Sequence, residues 1–151
     1  MKLLVTGATG LIGKNLITHA KRRKISIHFL TTQKGECNNS DGLKGFFWNP
    51  EKDEIDDSCF DGVDTLFHLA GANISKPWTA KNKKDILESR LNGTRLLKKT
   101  LDRLNIKMKS ICCAGAIGIY PNSLDDIHDE NSSLSQENFL QKVTYAWEQE
   151  S

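Results

Sequence analysis

The run Lys2–Thr6 is short, apolar and stopped by Gly7, which predicts a buried strand. From Leu11 to Lys24 the apolar residues Ile12, Leu16 and Ala20 recur every fourth position, the period of one helix face. Ile25–Thr31 alternates Ile25, Ile27 and Phe29 with Ser26 and His28, a second strand. Cys37–Gly42 is polar and turn-rich, Leu43–Trp48 predicts a third strand closed by Asn49-Pro50, and Asp53–Gly62 reads as an acidic loop with room for one helical turn. Thr65–Ala70 predicts a fourth strand buried on both faces. A long helix follows from Ala80 to Leu104, its Leu87, Leu91, Thr94, Leu97, Leu101 and Leu104 spaced by three or four. Lys109–Ala114 predicts a fifth strand, Gly115–Gln136 a loop, and a last helix starts near Ser135 or Gln136. Strands that are continuous apolar runs, alternating with helices, predict one α/β domain: a doubly wound parallel sheet covered on both faces.

Composition narrows the partners. The chain has 151 residues, 38% hydrophobic and 26% charged, which suits one globular domain and excludes disordered and collagen-like classes. Net charge is +2, too balanced for a nucleic-acid or membrane partner. The only basic run, Lys21-Arg22-Arg23-Lys24, falls where the first helix should end, and there cations complement the carbonyl end of the dipole. No stretch approaches the ~18 apolar residues of a membrane span, and the N-terminus turns Gly-rich too early for a signal peptide. The four cysteines, Cys37, Cys59, Cys112 and Cys113, show no C-x-x-C spacing, so reduced thiols in a cytoplasmic protein are expected, with no metal site. The expected partner is a small-molecule substrate, and nothing in the composition opposes a homo-oligomer.

Thr6-Gly7-Ala8-Thr9-Gly10-Leu11-Ile12-Gly13 joins the first strand to the first helix. Gly7 suits the tight turn, Gly10 lets backbone N–H groups approach a pyrophosphate, and Gly13 lets the helix pack near the strand, with the helix N-terminus favouring an anion. A tight turn with no ligand is the plain alternative, but strand–turn–helix is the context in which such a motif binds a dinucleotide. The spacing is G-x-x-G-x-x-G, one residue wider than the G-x-G-x-x-G pattern. It resembles the extended short-chain dehydrogenase/reductase superfamily. Trp48-Asn49-Pro50, His68-Leu69-Ala70-Gly71-Ala72-Asn73-Ile74, Trp78-Thr79, Ser89-Arg90-Leu91-x-Gly93-Thr94, Ala116-Ile117-Gly118-Ile119-Tyr120 and Phe139-x-x-x-Val143-x-x-x-Trp147-Glu148 resemble successive signatures of its atypical "epimerase family protein" subfamily. That resemblance spans the whole chain and implies a Rossmann fold that binds NADP(H).

An acidic residue about 20 positions past the glycine turn would hold the ribose hydroxyls of NAD. The second strand ends Phe29-Leu30-Thr31-Thr32-Gln33-Lys34 with no acid, which favours NADP over the alternative, NAD. Relatives often carry Arg where Thr32 stands. Lys14 or Lys34 could supply the charge instead, with hydroxyls from Thr31 and Thr32, or either lysine could be a solvated surface charge. Ala70 and Gly71 end the fourth strand at the carboxyl edge, where open sheets bind ligands. Trp48 ends its strand at the same edge and either flanks the adenine or fills the core. Arg90 either faces the pyrophosphate or is an exposed helix arginine. The candidate cofactor contacts are therefore Gly7, Thr9, Gly10, Leu11, Ile12, Gly13, Thr31, Thr32, Lys34, Trp48, Ala70 and Gly71.

Ordinary members of the superfamily use Ser, Tyr and Lys to move a proton. The resemblance places Gly115, Phe139 and Val143 at those positions, and none of the three can do so. Phe139, Val143 and Trp147 form an apolar stripe expected to face the sheet. Tyr120 is the one candidate proton donor, against a plain packing role. His128 reads as a solvated loop residue, His68 as a hydrogen-bonded core residue and Cys113 as core. The catalytic residues stay unassigned. The expected function is an NAD(P)-binding, epimerase-like oxidoreductase of unknown substrate, or alternatively a non-catalytic NADP(H)-binding sensor or interaction protein. Five strands of the order 3-2-1-4-5-6 are accounted for, so the C-terminal substrate-binding part of the family architecture is expected to be absent.

Overall fold

The computed structural model describes every residue except Asn38 and Asp41. Five parallel strands form the sheet: β1 (Lys2–Thr6), β2 (Ser26–Thr31), β4 (Leu43–Asn49), β6 (Thr65–His68) and β7 (Ser110–Cys113). Their spatial order is β4-β2-β1-β6-β7, and two-residue strands β3 (Asn39–Ser40) and β5 (Glu54–Ile55) pair antiparallel with β4. Val5 stands opposite Phe29 on one side and Phe67 on the other, so β1 is the centre of the sheet. All five expected strands are present. The turn-rich stretch Cys37–Gly42 holds β3, and its Asn38 and Asp41 lie outside the described residues.

Alternation along the strands divides the core in two. Leu4, Leu30, Phe46, Trp48 and Leu66 pack with Leu96, Leu97 and Leu101 of α2 (Ala80–Arg103). Leu3, Val5, Ile27 and Phe29 pack with Ala20 of α1 (Leu11–Arg22), flanked by Leu16 and Ile17. Helix α1 ends where Lys24 takes a left-handed φ of 56° and Ile25 N–H donates back to Ala20 O. The basic run is its tail, as the charge pattern predicts. Helix α2 starts on Thr79, whose side chain accepts from Asn82 N–H.

Three expectations need correction. The last helix, α3 (Phe139–Glu150), starts later than Ser135 or Gln136. Asn138 accepts from Gln141 N–H while Gln141 Oε1 accepts from Asn138 N–H, a reciprocal cap that sets the first turn. Helix α3 packs on α2 and on the short 3₁₀ turn Ile117–Ile119, burying Val143 and Trp147 of the apolar stripe, with Trp147 against Arg90 at 5.1 Å. The fourth strand stops at His68, since Leu69 and Ala70 turn their N–H groups to Thr6 Oγ1. Finally, β7 is not covered on both faces: Ser110, Ile111 and Cys112 are exposed at the sheet edge.

Candidate functional site

The carboxyl ends of β1, β2 and β6 enclose a cavity of about 330 Å³. Its floor is the glycine turn. Gly7 has φ +68°, and a Cβ there would lie 2.7 Å from the backbone of Leu69. A Cβ on Gly13 would lie 2.2 Å from Gly7 O, so only glycine lets α1 start this close to β1. Helix α1 opens on Gly10 with no side-chain cap and no acid in its first turn. By contrast, α2 and α3 are capped by Thr79 and Asn138. The unpaired N–H groups of the first turn, with the positive end of the helix dipole, stand ready for an anion.

Of the sequence candidates, Gly7, Thr9, Gly10, Thr31, Thr32, Ala70 and Gly71 line this cavity together. Ala8, Phe29, Leu30, Gln33 and Leu69 join them, and no carboxylate is among the lining residues. Leu11 and Ile12 send their side chains into solvent, 84% and 65% exposed, so only their backbone N–H groups can serve a ligand. Gly13 is buried beneath Gly7 and shapes the turn without lining the cavity. Lys34 lies over the Phe47 ring at 4.9 Å and is not among the lining residues, while Lys14 is exposed on α1. A second cavity of about 500 Å³ adjoins through Thr32, Ala70 and Gly71, and carries Glu51, Asp85 and Glu88 on the β4–β5 connection and α2. Trp48 borders it, yet is 4% exposed and packed edge-on against His68 in the core.

A residue with no role read from the sequence organises the cavity wall. Thr6 Oγ1 accepts from Leu69 N–H and Ala70 N–H, each at 3.0 Å, and lies 2.7 Å from His68 Nδ1. With two N–H groups already donating to it, the hydroxyl gives its own proton to Nδ1, which fixes His68 as the neutral Nε2–H tautomer. His68 is 1% exposed, Nε2 has no hydrogen-bond partner among the described residues, and burial pulls its pKa down to about 4. The core reading of His68 holds. The only sequence cue to Thr6 is that it precedes the first glycine. Replacing it with valine keeps the shape but strands two N–H groups and Nδ1. Thr6→Val is expected to cost roughly 2–3 kcal/mol, read from urea midpoints, and to weaken any ligand of the Leu69–Gly71 wall.

Arg90 is not an exposed helix arginine. It is half-buried, donates to Ile86 O at 2.9 Å and Ala72 O at 3.2 Å, and its guanidinium would meet a Cβ on Gly71 at 3.0 Å. With Ser89 Oγ, which accepts from Ala72 N–H, it props the Gly71–Ala72 segment from below. Tyr120 stacks flat on His128, centroids 5.2 Å apart, and Gln141 Nε2 donates to its carbonyl. His128 is therefore half-buried by this stack, not freely solvated. Cys113 is half-buried, and burial raises its thiol pKa. Gly115 sits beside Glu148, whose Oε1 would be 3.2 Å from an added Cβ.

A parallel sheet in this order, with a glycine turn feeding an uncapped helix, defines a Rossmann-type α/β protein. The chain belongs to the NAD dependent epimerase/dehydratase family, whose profile matches residues 3–148. Among curated relatives, the Epimerase family protein YfhF of Bacillus subtilis is 31% identical over 150 residues, 99% of this chain and 49% of the relative. The Staphylococcus haemolyticus Epimerase family protein SH2119 is 33% identical over 147 residues, 97% of this chain and 48% of the relative. The chain thus spans about half the length of the curated relatives it matches. Human epimerase family protein SDR39U1, solved with NADPH, superposes with TM-score 0.78 at 24% identity, over 99% of this chain and 48% of that one. MoeE5, solved with UDP-glucose and NAD, gives TM-score 0.78 at 18% identity over 99% and 48%. At those identities the likeness is one of fold.

Proposed function

We propose that this chain binds NADP(H) across the cavity at the ends of β1, β2 and β6, as the cofactor half of an epimerase-like oxidoreductase. The observation that carries the reading is the uncapped start of α1 facing a cavity with no Cβ at Gly7 or Gly10 and no carboxylate in its lining. Those features fit a pyrophosphate and an acid-free ribose pocket. The first-turn N–H groups of α1 hold the pyrophosphate, Leu69–Gly71 lies along the ligand, and Thr32 offers an exposed hydroxyl beside the ribose. The carboxylates Glu51, Asp85 and Glu88 line the second cavity, which reaches Thr32, while no carboxylate lines the cavity at the ends of β1, β2 and β6. The bound cofactor supplies or accepts hydride at a carbon bearing oxygen.

On this reading NADPH binds tighter than NADH by about tenfold or more, the worth of one charge-assisted contact to the 2′-phosphate. Titration followed by quenching of Trp fluorescence measures both constants, and equal affinities would overturn the preference. A non-catalytic sensor is the second reading, favoured by Gly115, Phe139 and Val143, none of which moves a proton. Consumption of NADPH with a panel of carbonyl compounds separates the two. Cytoplasmic residence belongs to the same proposal. It is supported by the absence of disulfides among the described residues, none of whose helices is long and apolar enough to cross a membrane.

A further inference from the structure

A further cavity, of about 280 Å³, lies between α2 and the edge strand β7 and shares no lining residue with the cavity at the glycine turn. Its walls are apolar: Leu66 of β6, Leu97 and Leu101 of α2, Ile106, and Ile111 of β7. Leu66, Leu97 and Leu101 belong to the buried core, whereas Ile111 is 53% exposed and marks the open side. The volume exceeds the roughly 150 Å³ in which an apolar cavity holds a benzene-sized molecule.

One polar group in this wall has nothing to bond to. His68 lines the cavity and is 1% exposed. Its Nδ1 is committed to Thr6 Oγ1 on β1, which leaves the ring proton on Nε2, turned away from β1. That Nε2–H has no partner among the described residues. Thr94, the neighbouring buried polar side chain of the wall, spends its hydroxyl proton on Arg90 O. A buried N–H without an acceptor is costly, so an acceptor that reaches it gains more than a hydrogen bond made at the surface.

The rim sets the charge of the occupant. Lys98, Asp102 and Glu150 stand there, and Glu150 is paired with Arg95. An anion would meet two carboxylates, one lysine and a neutral imidazole, which is no anion site. A carbonyl is the uncharged acceptor that brings no donor of its own to satisfy. We propose that this cavity binds a small, uncharged, largely apolar carbonyl compound, whose oxygen accepts the His68 Nε2–H while its apolar part lies against Leu97, Leu101 and Ile111.

Acetophenone and α-methylstyrene, the same shape with C=O in one and C=CH₂ in the other, are the probes, and benzoate is the anion. The whole chain is titrated without cofactor, following the Nε2–H resonance of His68 by NMR in histidine-labelled protein, assigned by its loss in His68→Gln. Acetophenone should shift that resonance saturably and bind about fivefold or more tighter than α-methylstyrene, although it is the less apolar of the two. Benzoate should bind more weakly than acetophenone. Ile111→Trp closes the open side from an exposed edge position, and should weaken acetophenone about tenfold or more with NADPH affinity unchanged. Ile111→Phe provides the same comparison should the Trp variant melt early. No saturable shift, the result if water alone satisfies Nε2–H, would overturn the proposal. So would equal affinities for the two isosteres, or acetophenone binding untouched at Ile111. A dimer in sedimentation that Ile111→Trp dissociates would also overturn it, since a second copy would then cover the opening. Failure of NADPH to bind the wild-type chain would count against the cofactor reading alone.

Discussion

Gly13→Ala is expected to destabilise the fold by about 3 kcal/mol or more, the upper range for overpacking. The added methyl would stand 2.2 Å from Gly7 O and 2.9 Å from Ala8 Cα. Both are backbone atoms of the turn itself, so no side-chain rotation relieves the clash. Helix α1 would have to lift away from β1, which also pulls its first-turn N–H groups off the cavity. Gly35 and Gly118 are the internal controls, because an added Cβ at either has nothing within 4 Å. Alanine at those two positions should change stability by no more than about 0.5 kcal/mol. Urea unfolding of the three variants measures the contrast, and a Gly13→Ala midpoint equal to that of the controls would refute the close-approach account.

The second large effect is acid destabilisation through His68. Burial lowers its pKa from the ordinary 6.5 to about 4, so between those values the unfolded chain takes up a proton that the folded chain refuses. Stability is therefore fully present above pH 6.5 and falls as pH drops towards 4, by roughly 3 kcal/mol over the window. His28 acts in the same direction: it is buried with Nδ1–H donating to Cys59 O at 2.7 Å, and desolvation lowers its pKa too. Asp57, Asp64 and Asp129 have pKa values below the usual 3.8, so their stabilising contributions are lost only in stronger acid and leave this window clear. Unfolding midpoints between pH 7 and 4.5 should fall in the wild type and fall much less in His68→Gln. Parallel slopes in the two proteins would show that His68 does not carry the effect.

Much of the cofactor cradle was legible because its signals are local. Gly7, Gly10 and Gly13 announce a close approach of backbone to backbone, and the structure leaves no room for a Cβ at Gly7 and Gly13 and a tight 3.2 Å to Gly7 O at Gly10. The missing acid after β2 was equally plain, and the cavity lining contains none. Lys34 and Trp48 show where local reasoning stops. Each lies at the right edge of the sheet, but Lys34 is drawn over Phe47 and Trp48 into the core against His68, by neighbours remote in the sequence or contributed by another strand. The start of α3 was readable in retrospect from Asn138 and Gln141, three apart, a pattern that outweighs the polar residues before it.

Element order, the parallel α/β class and the glycine turn all follow from spacings within about thirty residues, where backbone geometry and the period of apolar residues act directly. Thr6 reaching Leu69, Ala70 and His68, Arg90 propping Gly71, and Arg90 meeting Trp147 span separations of about twenty to sixty residues. Those contacts exist only once β6 lies beside β1 and α3 lies on α2. A buried hydroxyl or a half-buried guanidinium acquires its meaning from the groups that surround it, and chain folding, not chain order, brings those groups together.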